Sequence, residues 1–337
     1  MEHINMNQWM KRILEADKRF TLPIMTHPGI ELSGHTVGEA VRQGEIHAQA
    51  IRAVNGRFPS VAATMMMDLT VEAEAFGCPI EFPENDMPHI LNRIVDATTV
   101  DRLSVPSLSA GRIPEYLKAA RMTVQNMPGQ PLFAGAIAPF SLAGRLFDIS
   151  EIMVACYIEP DAVNILLEKC TRFITDYCNA MKAEGCSGVI LAEPAAGLLS
   201  NDDCMQFSSL YVRKIVEQLQ DEEFLVVLHN CGNTGQCTPA MLATGAHAYH
   251  FGNAVSMTDT LAECPPDVLV MGNIDPVGVL RMLPPEQVKR QTRELLEQTA
   301  GYPNFVLSTG CDVPPHVPLA NIEAYYEALD EFNSRKA

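Results

Sequence analysis

FLVVLHNCG, residues 224–232, opens with five consecutive apolar residues and then presents His229 and Cys231 two positions apart. An unbroken apolar run of this length is the mark of a parallel strand covered on both faces, because a half-exposed strand would alternate. Runs of the same kind recur at 60–67 (SVAATMMM), 131–138 (PLFAGAIA), 187–192 (SGVILA), 246–251 (AHAYHF), 267–272 (DVLVMG) and 304–309 (NFVLST). Between them lie helical patterns over 160–184, 202–220, 284–300 and 318–333, several opening on proline or on a Ser/Asn/Asp cap. Strand, loop and helix therefore alternate, with no Gly/Ser/Pro-rich linker. This pattern predicts an α/β chain folded as a single (β/α)8 TIM barrel over 1–337, with an N-terminal helix over 1–20 packed on the barrel. The eighth strand has two candidates, 22–27 (LPIMTH) and the stretch 90–95. A doubly wound nucleotide-binding sheet is the weaker alternative, since neither GxGxxG nor a P-loop follows a strand.

Composition narrows the partners. The 337 residues contain 24 Lys and Arg against 41 Asp and Glu, a formal charge of -17, so a nucleic acid or an anionic membrane surface would be repelled over most of the molecule. No run of eighteen apolar residues occurs, and the N-terminal segment is amphipathic rather than basic then apolar. The expectation is a cytoplasmic protein with no nucleic-acid or membrane partner. The ten cysteines are scattered, a distribution that suits buried thiols and a few ligands better than a disulfide framework.

In a barrel of this kind the chemistry sits where strands end. The residues at those ends are Asp68, Glu193, His229 with Cys231, His250 with Asn253, Asn273 with Asp275, and Cys311 with Asp312. His229, Cys231 and Cys311 form a chemically matched set, because one imidazole and two thiolates suit zinc and leave a fourth position open. In extended chain, residues i and i+2 point to the same side, so His-x-Cys delivers two ligands together. A third arriving 80 residues later suits a barrel mouth and not a zinc finger. Cys237 competes for that place, but it lies at a loop-to-helix junction and ranks below Cys311. Simple packing also accounts for a His-x-Cys pair, since buried cysteines and core histidines are common. Glu193 is either a turn cap before Pro194, a displaceable fourth ligand or a general base. Asp68 and Asp275 read as loop caps as readily as site residues, and His250 as a core histidine.

Four stretches carry a family resemblance: MMMDLTVEAEAFGC (65–78), LHNCGNT (228–234), GNIDPVGVL (272–280) and TGCDVPPHVPLANIEA (309–324). Together they resemble the uroporphyrinogen decarboxylase superfamily, in matching order from about residue 60 onward. That superfamily includes decarboxylases and zinc-dependent corrinoid methyltransferases. The decarboxylases carry an arginine-rich N-terminal motif, whereas the present chain reads THPGIELSGHT at 26–36, and they carry histidine where it has Cys311. The methyltransferase branch has His-x-Cys and a later Gly-Cys, seen as His229, Cys231 and Gly310-Cys311, with a glutamate in the position of Glu193.

The resemblance implies a (β/α)8 barrel and a Zn2+ ion held by His229, Cys231 and Cys311. It also implies methyl transfer between a methylated corrinoid (cobalamin), presented by a separate corrinoid-binding protein, and a small thiol or methyl-donor substrate. On that basis Glu193, Asp68 and Asp275 are the expected catalytic groups, and Asn273, His250 and Asn253 are the expected cofactor-binding ones. The alternatives are a tetrapyrrole-type decarboxylase and a non-catalytic corrinoid- or thiol-binding barrel.

Overall fold

Residues 4–335 are described by a computed structural model. The strands are β1 (Ala63–Thr64), β2 (Ile80–Glu81), β3 (His89–Ile90), β4 (Leu132–Ile137), β5 (Gly188–Ala192), β6 (Leu225–Asn230), β7 (Ala248–Phe251), β8 (Leu269–Ile274) and β9 (Phe305–Thr309). Seven of them form one curled parallel sheet in the order β1-β4-β5-β6-β7-β8-β9, with helices around it. The segment 20–24 spans the remaining gap. Leu22 donates its N–H to the Leu307 carbonyl at 2.9 Å, Leu307 donates to Phe20 at 3.0 Å, and on the other side Val61 donates to Thr21 at 3.0 Å. The first of the two candidates for the eighth strand thus closes the TIM barrel, although its helix begins already at His27. The 90–95 candidate does not join the barrel: β3 pairs antiparallel with β2 as a separate hairpin.

Alternation along each strand separates two apolar layers. Phe133, Ile190, Leu225, Val227, Ala248, Leu269, Met271 and Val306 fill the lumen. Their neighbours Ala134, Val189, Leu191, Val226, Leu228, Tyr249, Val270, Phe305 and Leu307 face the outer helices. The N-terminal helix spans Met6–Leu14, shorter than the 1–20 reading, of which 1–3 lie outside the described residues. Asn5 caps it, and Met6, Trp9, Met10 and Ile13 project at helical spacing into the lumen cluster. This helix plugs the barrel, each such buried side chain contributing about 1.5–3 kcal/mol.

The helices Pro160–Ala183, Pro285–Gln298 and Leu319–Ser334 fall within two residues of their sequence-based bounds. The stretch read as one helix over 202–220 instead divides into Asn201–Cys204, a π-helical turn Met205–Ser209, and Leu210–Leu219. That turn places Ser208 against Glu193, at 2.9 Å. No helix among the described residues is long and apolar enough to cross a membrane.

Candidate metal centre at the barrel mouth

Lumen-facing parity runs through Leu225 and Val227 to His229, so the imidazole emerges inside the barrel at its C-terminal rim. Cys231 lies two residues beyond it, and Cys311 arrives after β9. The imidazole nitrogen and the two Sγ atoms lie within 4.8 Å of one another, and among the described residues these three are the one group of His, Cys, Asp and Glu side chains so arranged. Two glycines allow the approach. A Cβ on Gly252 would stand 2.7 Å from Cys231 Cα, and one on Gly310 would stand 2.7 Å from the Asn253 nitrogen.

The hydrogen bonds behind His229 determine its tautomer. Ser308 Oγ donates its only proton to the Leu22 carbonyl at 2.7 Å, so toward His250 Nε2, 2.8 Å away, it is the acceptor. His250 therefore carries its proton on Nε2 and offers Nδ1 as a lone pair, with burial holding it well below the ordinary histidine value and so neutral. His229 Nδ1 lies 2.8 Å from that lone pair and 3.2 Å from the His250 carbonyl, and must donate. The proton on Nδ1 leaves Nε2 as a lone pair, buried, with no hydrogen bond of good geometry among the described residues and the Cys311 thiol as its neighbour.

A buried acceptor without a well-formed hydrogen bond is costly. An ion there would satisfy it, with the usual donation of the second imidazole N–H to an outer partner. The thiols complete the donor set. The two thiols interact: proximity to Cys231 and burial push the Cys311 thiol up to about 12 against the pull of His229, and Cys311 holds Cys231 below the ordinary thiol value, with burial opposing that shift. Two thiols and an imidazole nitrogen within 4.8 Å of one another are a donor set for a thiophilic cation, so the residues present fit a zinc ion.

The other strand-end residues are placed differently. Glu193 is fully buried, but both its oxygens are committed: Oε1 accepts from Phe140 N at 2.9 Å and Ser208 Oγ at 2.9 Å, and Oε2 accepts from Ser141 N at 2.8 Å. It is the anion at the N-terminus of the helix Pro139–Phe147, and it lies outside the metal-ligating group. Burial raises its carboxyl above the usual value while these donors pull it down. Asp68 is equally saturated, its Oδ2 held by Arg112 and Tyr116 and its Oδ1 by the Thr70 backbone and hydroxyl. Asp275 caps its own turn, accepting from Val277 at 2.9 Å and Gly278 at 2.8 Å.

Asn273 donates to the Gly252 and Val255 carbonyls, tying two loops together. His250 stands behind His229 rather than at the surface of the site, and Asn253 is exposed beside Gly310. Cys237 is buried away from the triad, its sulfur donating to the Leu199 carbonyl at 3.4 Å. Two participants escaped the sequence reading. Ser308 shares inward parity with Val306, a signal that was present in the strand pattern. Arg112, the partner of Asp68, sits at the cap of a helix far along the chain and carried no such signal.

The family described as Uroporphyrinogen decarboxylase (URO-D) matches residues 23–332. The chain belongs to this family. Relatives of this URO-D family chain include both methyltransferases and decarboxylases by name. A "Methylcobamide:CoM methyltransferase MtbA" of Methanosarcina mazei is 27% identical over 308 residues, covering 90% of this chain and 89% of the relative. A "Uroporphyrinogen decarboxylase" of Legionella pneumophila is 26% identical over 302 residues, covering 86% and 82%. Among solved structures, a "methyltransferase from Methanosarcina mazei" superposes with a TM-score of 0.87 at 24% identity, covering 98% of this chain and 99% of that one, a likeness of fold.

Proposed function

We propose that this URO-D family chain is a zinc-dependent methyltransferase that moves a methyl group between a corrinoid carried on a partner protein and a small thiol. Relatives of the two activities match at nearly equal identity, so overall likeness does not choose between them. The observation that carries the reading is the buried, unsatisfied Nε2 of His229 with two thiols beside it. A decarboxylase pocket has no use for a soft-metal donor set. A bound zinc ion supplies a Lewis acid that lowers the pKa of an incoming thiol.

The residues of the chain then have distinct tasks. His229, Cys231 and Cys311 hold the ion. His250 and Ser308 keep the Nδ1–H tautomer and so aim the Nε2 lone pair. Glu193 secures the helix Pro139–Phe147 at the rim. In the forward direction the thiol loses its proton, a sulfur–carbon bond forms, and the cobalt–carbon bond breaks with its electron pair left on cobalt. The methyltransferase relatives support a corrinoid as the other substrate, and an open barrel mouth is what a carrier protein needs to present it. Free thiols as nucleophile and ligands suit a reducing, cytoplasmic setting.

The test pairs metal analysis with an anaerobic assay of methylcobalamin and thiols. The expected result is about one zinc per chain and thiol-dependent appearance of the cob(I)alamin spectrum, both lost in Cys311→Ser. A metal-free protein whose cysteines alkylate freely, or turnover of uroporphyrinogen by chelator-treated protein, would overturn the reading.

A further inference from the structure

The helix Ile149–Ile158, ISEIMVACYI, is polar only at Ser150 and Glu151 in its first turn and at the Tyr157 hydroxyl. Ile152, Ala155 and Cys156 turn inward and join the core under the outer helices. Val154, Tyr157 and Ile158 lie on the opposite face, spaced i, i+3 and i+4, and are 55%, 69% and 68% exposed. A helix apolar around its whole circumference belongs in an interior, yet half of this one is left in solvent. Leu198, 63% exposed, extends the same face. Tyr157 Oη donates to Asp203 Oδ2 at 2.8 Å, and Ser200, two residues after Leu198, donates to that oxygen at 2.7 Å. Four large, mostly apolar side chains grouped in this way mark an interaction surface.

Contacts of a few ångströms join this face to the proposed metal centre. Leu198 ends the turn Pro194–Leu198, which packs on the loop that carries Cys231. A Cβ on Gly197 would stand 2.1 Å from the carbonyl carbon of Gly232, the residue after Cys231, and one on Gly232 would stand 2.3 Å from the Pro194 carbonyl oxygen. Gln236 Nε2 also donates to the Gly197 carbonyl at 2.8 Å. The apolar face therefore borders the mouth at the metal-ligand loop.

Charge selects what covers it. The stretches 148–168 and 194–212, which build the face, contain seven Asp and Glu and no Lys or Arg. Glu159, Asp161 and Asp202 are exposed and form no ion pair with any described residue. Elsewhere on the surface Glu45, Glu184 and Asp221 are answered by Lys118, Arg121 and Lys182. An apolar centre with an acidic rim is complementary to an apolar patch ringed by cations. A second copy of this chain would set the same acids against these ones, on a molecule whose formal charge is already -17. We propose that this face docks the protein that carries the corrinoid, and that the carrier meets it with an apolar patch ringed by Lys and Arg. The proposal rests on the methyl-transfer reading for the identity of the partner, and on the exposed helix and its unpaired acids for the place and the charge.

The experiment gives zinc-loaded full-length protein two methyl donors. One is free methylcobalamin; the other is the cobalamin-containing protein of the source cells, isolated by its corrinoid absorbance, reduced and methylated with iodomethane. Ile158→Lys is expected to lower kcat/KM for the carrier at least about tenfold, while zinc content, thermal unfolding and kcat/KM for free methylcobalamin stay unchanged. Glu159→Lys, at an exposed position outside the apolar centre, should weaken the carrier reaction less and flatten its salt dependence. In wild type that dependence is a fall of kcat/KM for the carrier between about 50 and about 500 mM NaCl, with little change for free methylcobalamin. Calorimetric titration of the carrier into each protein supplies a binding arm that needs no turnover.

Equal kcat/KM for the carrier in wild type and Ile158→Lys would overturn the proposal while leaving methyl transfer intact. So would an equal fall for both donors, which would make Ile158 a support of the site and not a docking residue. A wild-type dimer in sedimentation that Ile158→Lys converts to monomer would place a second copy on the face and overturn the assignment to the carrier. If neither donor loses its methyl group, but the carrier binds wild type and not Ile158→Lys, the methyl-transfer reading fails and the docking face stands.

Discussion

Two buried polar clusters stand at the same end of this barrel and differ in one respect. Around Asp68, every acceptor has a donor: Arg112, Tyr116 and Thr70 close the group on itself, and Glu74 takes the remaining side of the guanidinium. Around His229 the bonding is complete on the outward side, through His250, Ser308 and Leu22, and stops at Nε2. Strand-end position is common to both, so it does not separate a structural cluster from a reactive one. An unsatisfied atom alone does not either, since His27 Nδ1, His47 Nδ1 and Glu72 Oε2 are also buried without a hydrogen bond among the described residues; what sets His229 apart is an unsatisfied lone pair grouped with two thiols, a donor set for a metal ion.

The sharpest way to break the contrast is to remove a donor from the open cluster. Cys311→Ser is expected to lower bound zinc from about one per chain to a trace, with the thermal unfolding of the metal-free protein unchanged. Retention of full zinc would mean that the open cluster is not the metal centre. In the closed cluster the expected loss is stability instead. Asp68→Ala leaves Glu74 alone to balance the buried Arg112 and removes the acceptor of Tyr116 and Thr70, and should cost about 3–5 kcal/mol in urea unfolding, with zinc content unaffected. A stable Asp68→Ala protein that has lost only methyl transfer would return Asp68 to the catalytic set.

Glu193 lies between the two clusters and tests where the boundary falls. Glu193→Gln keeps the shape but weakens the acceptors for Phe140, Ser141 and Ser208, and should cost about 1–3 kcal/mol of stability while zinc remains bound. Loss of zinc in that variant would make the glutamate a ligand. Within the open cluster, His250→Leu removes the nearer of the two acceptors that hold the Nδ1–H tautomer, and a chelator competition should show zinc affinity reduced about 10–100-fold. His250→Asn, which restores an oxygen near the Nδ1 position, should recover much of it. Equal affinity in His250→Leu would show that the tautomer is set elsewhere.

The smallest effect concerns pH. Glu72 titrates at about 8 in the fold against an ordinary value of 4.5, chiefly through burial. A raised folded value means that its contribution is fully present below about 4.5 and declines as the pH rises through 8. Glu72→Gln removes that decline, so its stability relative to wild type should rise between pH 4.5 and 8 and then level off. A flat difference across this range would show that Glu72 is already ionised.

Much of the fold was legible because burial on two faces demands continuous apolar runs. The strands β4 to β9 coincide with such runs, and proline and Ser/Asn caps placed the starts of the long helices. Less legible were features without an apolar signature. The π-helical turn at 205–209 carries Ser208 onto Glu193, a contact invisible to helical periodicity. The closing segment 20–24 is recognised by its partners on either side, since a single short run does not announce what it will pair with. At the site, His229, Cys231 and Cys311 were identifiable from their chemistry and from the strand ends that carry them. The roles of Glu193, Asp68, Asp275, Asn273, Asn253 and His250 were not, because each depends on whether another part of the chain supplies a hydrogen-bond partner.

By itself the sequence determined the barrel, through the alternation of doubly buried strands with helices, and the soft donor set, through residue types that have few other uses together. Only the tertiary structure decided which buried polar groups are satisfied. It paired Asp68 with Arg112, turned Glu193 to a helix N-terminus, and set His250 behind His229. Hydrogen bonds and ion pairs are short-ranged and directional, so their completion is a property of residues distant in the chain meeting at a few ångströms, and no local pattern records it.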